Sequence, residues 1–199
     1  MKIIVIGASG TVGQAVAKEL AQRHELIGVG TNSGHYRADM ADIAQVRALF
    51  AQTGKVDAVV VAAGRLHLGP LAGLEPEHFQ VGLASKLMGQ VNVAQVAAGY
   101  LNDGGSITLT SGIITERPIR GGAGAAMANA ALEAYAGAAA VELGRGLRIN
   151  VVSPGVLEES MEAYGPYFPG IEAVPGKRVA LGYVRSVEGV ETGKVFKVW

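Results

Sequence analysis

Gly7, Gly10 and Gly13 are the residues whose type and spacing point most directly to chemistry, in the segment Gly7-Ala8-Ser9-Gly10-Thr11-Val12-Gly13. The apolar run Lys2 to Ile6 leads into this segment and the helical pattern Gln14 to Gln22 leaves it, giving the order strand, glycine turn, helix. Glycines suit such a place because the chain turns sharply, the backbone must come close to a pyrophosphate, and the helix must pack tightly on the strand. The helix start then offers unpaired backbone NH groups and a partial positive charge to the phosphates. The pattern reads as a dinucleotide-binding turn, or as a tight turn with a purely structural role.

The second strand narrows the cofactor. An NAD-specific site places an acidic residue at its end, on the ribose hydroxyls; here the chain reads Val29-Gly30-Thr31-Asn32-Ser33. Without a carboxylate to repel a 2′-phosphate, and with hydroxyl and amide donors from Thr31, Asn32 and Ser33, the site suits NADP(H) better than NAD(H). His35 or Arg37 could add charge. A polar loop that happens to lack an acid would look the same.

The elements that must hold this turn are legible in the apolar runs. Lys2 to Ile6, Glu25 to Val29, Asp57 to Ala62, Ser106 to Thr110, Arg148 to Val152 and Lys194 to Val198 read as strands, with helical patterns between them. Near-continuous apolar strands joined by helices imply a parallel sheet covered on both faces, a doubly wound Rossmann-like α/β fold in a single domain spanning 1–199. Arg117 to Gly124 reads as a loop. Gly122 to Leu143 reads as a buried helix whose Ala and Gly residues allow close packing, on the sheet or on a second subunit.

Composition bounds the partners. Of 199 residues, 49% are hydrophobic and 17% charged, which fits one domain with a sizeable core. Lys plus Arg and Asp plus Glu number 17 each, so no net field draws the chain to nucleic acid or an anionic membrane. There is no cysteine, hence no disulfide and no thiolate metal or redox centre. A soluble, cytoplasmic protein with small-molecule partners is expected, there being no secretory or membrane-spanning run. The four histidines lack ligand spacing to one another or to a carboxylate pair, and no metal is expected.

Several ordered motifs together resemble the short-chain dehydrogenase/reductase family over nearly the whole chain. The glycine turn has the Gly-x-x-Gly-x-x-Gly spacing of its extended and atypical branches. Asp39-Met40 looks like its adenine-contacting pair, and Ala62-Ala63-Gly64 resembles its Asn-Asn-Ala-Gly motif without the asparagines. Gly105 to Ser111 looks like the strand that ends in the family's catalytic serine, which falls on Ser111. Asn150-Val151-Val152-Ser153-Pro154-Gly155 is similar to the strand and turn beside the nicotinamide, placing Pro154, Gly155 and Val156 there, and Thr192-Gly193-Lys194-Val195 resembles the start of the last strand.

The resemblance breaks at the family's Tyr-x-x-x-Lys motif, which occurs nowhere in the chain. Ala125 stands where the catalytic Tyr belongs, Asn129 where its Lys belongs, and Lys86 where the family has a supporting Asn. Alanine cannot hand a proton to a carbonyl oxygen. Lys86 either reaches into the space of the absent Lys and, with a lowered pKa, relays a proton while Ser111 holds the substrate oxygen, or it only holds the cofactor ribose or makes a surface ion pair. Ser111 could instead satisfy local backbone. Tyr135 lies about 15 Å along the helix from Ala125 and cannot replace the phenol. Glu116, Arg117 and Arg120 could meet a substrate or form a solvated loop, and His67 follows a strand end near the expected nicotinamide. Glu158 to Pro175 is expected to face the substrate, with Met161, Tyr164, Tyr167 and Phe168 as an apolar lid, or simply to cover the sheet edge.

The resemblance implies an NADP(H)-dependent oxidoreductase acting on a carbonyl or alcohol, with pairing through helices at about 79–101 and 122–143 into a homodimer or homotetramer. Two other readings stay open: a catalytically silent dinucleotide-binding sensor or regulatory protein, and a non-redox enzyme in which the cofactor is structural.

Overall fold

Ile3, Ile4, Val5 and Ile6 are all buried, and successive residues of a strand face opposite sides. A strand with no exposed face needs cover above and below. The computed structural model, which describes all residues from Met1 to Trp199, supplies it. Strands β1 (Lys2–Ile6), β2 (Glu25–Gly30), β3 (Tyr36–Arg37), β4 (Val56–Val61), β5 (Leu101–Thr110), β6 (Arg148–Pro154) and β7 (Val195–Val198) form one parallel sheet in the order β3-β2-β1-β4-β5-β6-β7.

Ile4 and Ile6 join a core with Val59, Val61, Ile107 and Leu109 beneath α2 (Ile43–Thr53), α4 (Gly89–Tyr100) and α5 (Ala123–Ala140). Ile3 and Val5 join Ala58, Val60 and Phe196 beneath α1 (Thr11–Leu20) and α7 (Gly176–Glu188). Burial of this apolar surface at roughly 25 cal/mol per Å² is the main stabilising term. The strand order reverses between β1 and β4, and in open parallel sheets the crevice beyond the strand ends at such a reversal is where ligands bind. The glycine turn follows β1 at that point.

Several expected boundaries move. The short edge strand β3 is an addition, too brief to carry a periodic signal. The fifth strand starts at Leu101 rather than Ser106, the first helix at Thr11, and the expected loop 117–124 ends at Gly122 because α5 begins at Ala123 and closes at Ala140. The long helix before β5 is compound: α3 (Pro76–Val81), a π-helical stretch over Gly82–Met88, then α4. Segment 158–175 folds as short 3-10 turns around α6 (Met161–Tyr164). No helix is long and apolar enough to cross a membrane.

Candidate functional site

The three glycines of the turn have different physical reasons. Gly7 sits at φ +84°, and its amide donates to Val29 O at 2.7 Å. A Cβ there would stand 2.5 Å from Ala62 O, and one at Gly13 would stand 1.9 Å from Gly7 O. These two let β1, β4 and α1 close on one another. Gly10 has φ −75°, open to any residue, and its Cβ would meet only Gly7 O at 3.5 Å. Chain packing does not need this glycine; a ligand lying against the backbone would. Thr11, Val12 and Gly13 open α1 with no side-chain cap, leaving NH donors and the positive helix end free at that place.

Two cavities meet over the turn. The first, of about 480 Å³, is lined by Gly7, Ser9, Gly10, Thr31, Asn32, Ser33, Asp39, Met40 and Ala62 to Gly64. The second, of about 420 Å³, is lined by Gly10, Thr11, Val12, Ala62 to Gly64, Lys86, Ser111, Asn129 and Pro154 to Val156. Gly10, Ala62, Ala63 and Gly64 border both, so the two make one groove along the strand ends. The polar residues after β2 face the first cavity, where the Ser33 hydroxyl donates to Ser9 Oγ at 3.1 Å. Asp39 Oδ1 accepts from Ala41 N at 2.9 Å, and Met40 fills the space left by Gly89. The groove, the uncapped helix start and the side-chain-free Gly10 fit a dinucleotide.

Lys86 is the unusual group of the second cavity. It is 8% exposed, has no ion-pair partner, and burial pushes its ammonium down to about 8. Gly64, at φ +139°, makes room for it: a Cβ there would lie 2.5 Å from Lys86 Cδ. Lys86 stands in the π-helical stretch, a geometry that recurs at functional sites. The fully buried Gln90 ties this stretch to the end of β5. Its Nε2 donates to Lys86 O at 3.0 Å and to Thr110 O at 2.9 Å, while its Oε1 accepts from Thr110 N at 2.8 Å.

Ser111 follows Thr110, is 4% exposed, and its Oγ donates not to backbone but to Glu133 Oε1 at 2.6 Å. Sequence reading passed over Glu133. Its signal was the spacing Ala125, Asn129, Glu133, which repeats every fourth residue and so shares one face of α5. Ala125 packs with Ile113 and Ile114 in a satellite core, and Asn129 Nδ2 lies over Gly112. Asn129 is 2% exposed, and its Oδ1 has no hydrogen-bond partner. Lys86, Ser111 and Asn129 thus come together around one cavity.

Most other candidates do not reach it. His35 Nδ1 accepts from Gly28 N at 3.0 Å, and Arg37 is exposed on β3 outside the groove lining. His67 stacks on His78, ring centroids 4.3 Å apart. Glu116 pairs with Lys197, Arg117 is exposed, and Arg120 borders a separate apolar basin. Tyr135 faces α4 on the outer side, beside Ala94 and Ala98. The expected lid divides: Tyr164 and Phe168 line the second cavity, Tyr167 lines the basin, and the Met161 methyl lies over Gly165. Tyr183 is no substitute phenol, being fully buried across the sheet with its hydroxyl on Thr110 Oγ1 at 2.6 Å.

Fold and groove define an α/β protein of the nucleotide-binding, doubly wound kind. Comparison makes the family specific. Residues 3–196 match the family model described as Enoyl-(Acyl carrier protein) reductase. An uncharacterized oxidoreductase of Methylorubrum extorquens is 30% identical over 176 residues, 76% of this chain and 71% of that protein. The 2,3-dihydro-2,3-dihydroxybenzoate dehydrogenase of Escherichia coli is 35% identical over 129 residues, 63% of this chain and 52% of the enzyme. Among solved structures, the protein lin1944 from Listeria innocua superposes with a TM-score of 0.99 at 47% identity, covering 100% of both chains. A small-chain dehydrogenase in complex with NADPH superposes with a TM-score of 0.88 at 26% identity, covering 100% of this chain and 96% of that one. The chain belongs to the short-chain dehydrogenase/reductase family, and its activity class is oxidoreductase.

Proposed function

We propose that this chain is a single NAD(P)-binding domain over 1–199 that takes NADP(H) ahead of NAD(H). It moves hydride between that cofactor and a small carbonyl or alcohol. The turn from Gly7 through Ser9, Gly10, Thr11 and Val12 to Gly13 would hold the pyrophosphate. Thr31, Asn32 and Ser33 would hold the 2′-phosphate, and Asp39 and Met40 the adenine. Ala62, Ala63 and Gly64 would floor the groove, and Pro154, Gly155 and Val156 would flank the nicotinamide. When bound, the cofactor gives or takes the hydride.

The chain's own residues position the substrate and handle the proton. In this reading Lys86 and Asn129 have exchanged places relative to the family's Asn and Lys, and Ala125 removes the phenol. The degenerate motif therefore keeps a cation beside Ser111 while delivering it from the other helix. The observation that carries this is Lys86: 8% exposed, without an ion-pair partner, lining the same cavity as Ser111, and lowered to about 8 by burial. Ser111 would hold the substrate oxygen. Pairing through α4 and α5 into a homodimer or homotetramer accompanies this reading.

The test is calorimetric titration with NADPH and NADH, then a carbonyl panel followed by NADPH loss in wild type and Lys86→Met. Tighter NADPH binding with turnover that falls in the variant is expected. Tighter NADH binding defeats the cofactor preference, and undiminished turnover in the variant removes Lys86 from the mechanism.

A further inference from the structure

The hydrogen bond from Ser111 to Glu133 fixes the polarity of the serine. A carboxylate has lone pairs only, so at 2.6 Å the hydrogen between these residues belongs to Ser111 and points at Glu133. Thr115 Oγ1 lies 3.4 Å from the same carboxylate oxygen, with its own acceptor in Gly112 O at 3.1 Å. Towards the cavity, Ser111 Oγ therefore presents only lone pairs, and the group that meets it there must be a donor. An ammonium is the reverse case, three donors and no acceptor, and Lys86 supplies it on the same cavity. Between them the two side chains match one small group, an alcohol hydroxyl that accepts from Lys86 and donates to Ser111.

We propose that Ser111 and Glu133 form the proton relay of the site, with Glu133 as the positioning residue that receives the proton through Ser111. This rests on the oxidoreductase reading above. In the oxidation direction the substrate C–H bond would break, and the nicotinamide dinucleotide, when bound, would take up its electron pair as hydride. The O–H proton passes to Ser111 Oγ as the serine's own proton passes to Glu133 Oε1, and the freed O–H electron pair closes the carbonyl. Glu133 is half-buried, and it returns its proton to water. Reduction runs the same path backwards. The relay uses no phenol, which accounts for a site in which Ala125 is buried among Ile113 and Ile114.

Two measurements decide it. In the cofactor-free protein, NMR should show a slowly exchanging Ser111 hydroxyl proton that disappears in Glu133→Ala; its absence from wild type overturns the proposal. In the NADPH-loaded protein, Glu133→Gln should lower kcat on the panel's best carbonyl on the order of 100-fold, with KM and NADPH affinity within about twofold of wild type. Glu133→Asp, which restores a carboxylate, should recover at least about tenfold of that loss. Wild-type turnover in Glu133→Gln, or no recovery in Glu133→Asp, overturns the relay and leaves the oxidoreductase reading intact. Failure of wild type to bind NADPH overturns the oxidoreductase reading, and the relay with it.

Discussion

Replacing Lys86 by methionine should stabilise the fold while harming the chemistry, and pH separates the two effects. The Lys86 side chain is 8% exposed and has no ion-pair partner, and burial moves its ammonium from the ordinary lysine value of 10.5 to about 8. At about 1.4 kcal/mol for each pH unit, that interval amounts to about 3 kcal/mol of folding stability forgone while the group is charged. The sign follows from proton binding. Below pH 8 both folded and unfolded chains hold the proton and the full cost is present. Between 8 and 10.5 the unfolded chain keeps a proton that the folded chain has released, so stability rises with pH. Above 10.5 the cost is gone. Methionine has a similar unbranched length and no charge. Urea denaturation of ligand-free wild type and Lys86→Met, run from about pH 7 to about pH 11, should show the variant more stable by about 3 kcal/mol at the acid end, the gap closing with rising pH. A gap that does not change with pH, or a variant less stable at neutrality, would refute the argument that an unpaired charge is held in this cavity. Taking the difference between the two proteins cancels every other titrating group.

Two further substitutions probe what holds that lysine. Gly64→Ala places a Cβ 2.9 Å from Lys86 Cα, a backbone contact that no rotamer of Lys86 relieves, at a φ that disfavours side chains. It should cost about 1–3 kcal/mol in denaturation, and the double variant with Lys86→Ala should not recover it. Gln90→Leu removes three buried hydrogen bonds linking the π-helical stretch to Thr110. A loss on the order of 3 kcal/mol with weakened NADPH binding is expected by denaturation and calorimetry, and a loss below about 1 kcal/mol would show that the link is not what holds the two segments together.

What could be read from the sequence was what repeats locally. The alternation of β1 into α1 through Gly7 to Gly13 announced strand, turn and helix, and continuous apolar runs announced a sheet covered on both faces. Tyr36–Arg37 escaped because two residues have no period, and their pairing to Val29 and Gly30 is made across the sheet. The π geometry at 82–88 escaped because nothing in Gly-Leu-Ala-Ser-Lys-Leu-Met separates it from an α-helix. Its tie to β5 is the side chain of Gln90, a tertiary contact. Lys86 and Ser111 were found by resemblance, whereas Glu133 was not, since the family puts no role there and only the folded chain sets it against Ser111. The lid was legible only in part, for a similar reason. Tyr164, Tyr167 and Phe168 look alike in sequence, but the 3-10 turn over Gly165–Tyr167 sends them to different cavities.

The π-helical stretch also has a hereditary consequence. A turn closed by i→i+5 bonds holds one residue more than its α-helical counterpart. Deleting a single codon in 82–88 would let the stretch relax to α spacing with its two flanks still nearly in phase, but the widened turn that carries Lys86 would be lost. In this segment, then, a change of length should be tolerated less well than a change of identity. Drift among lineages should accumulate as substitutions at Leu83 or Met88, and an alignment gap here would mark a descendant whose site has been rebuilt.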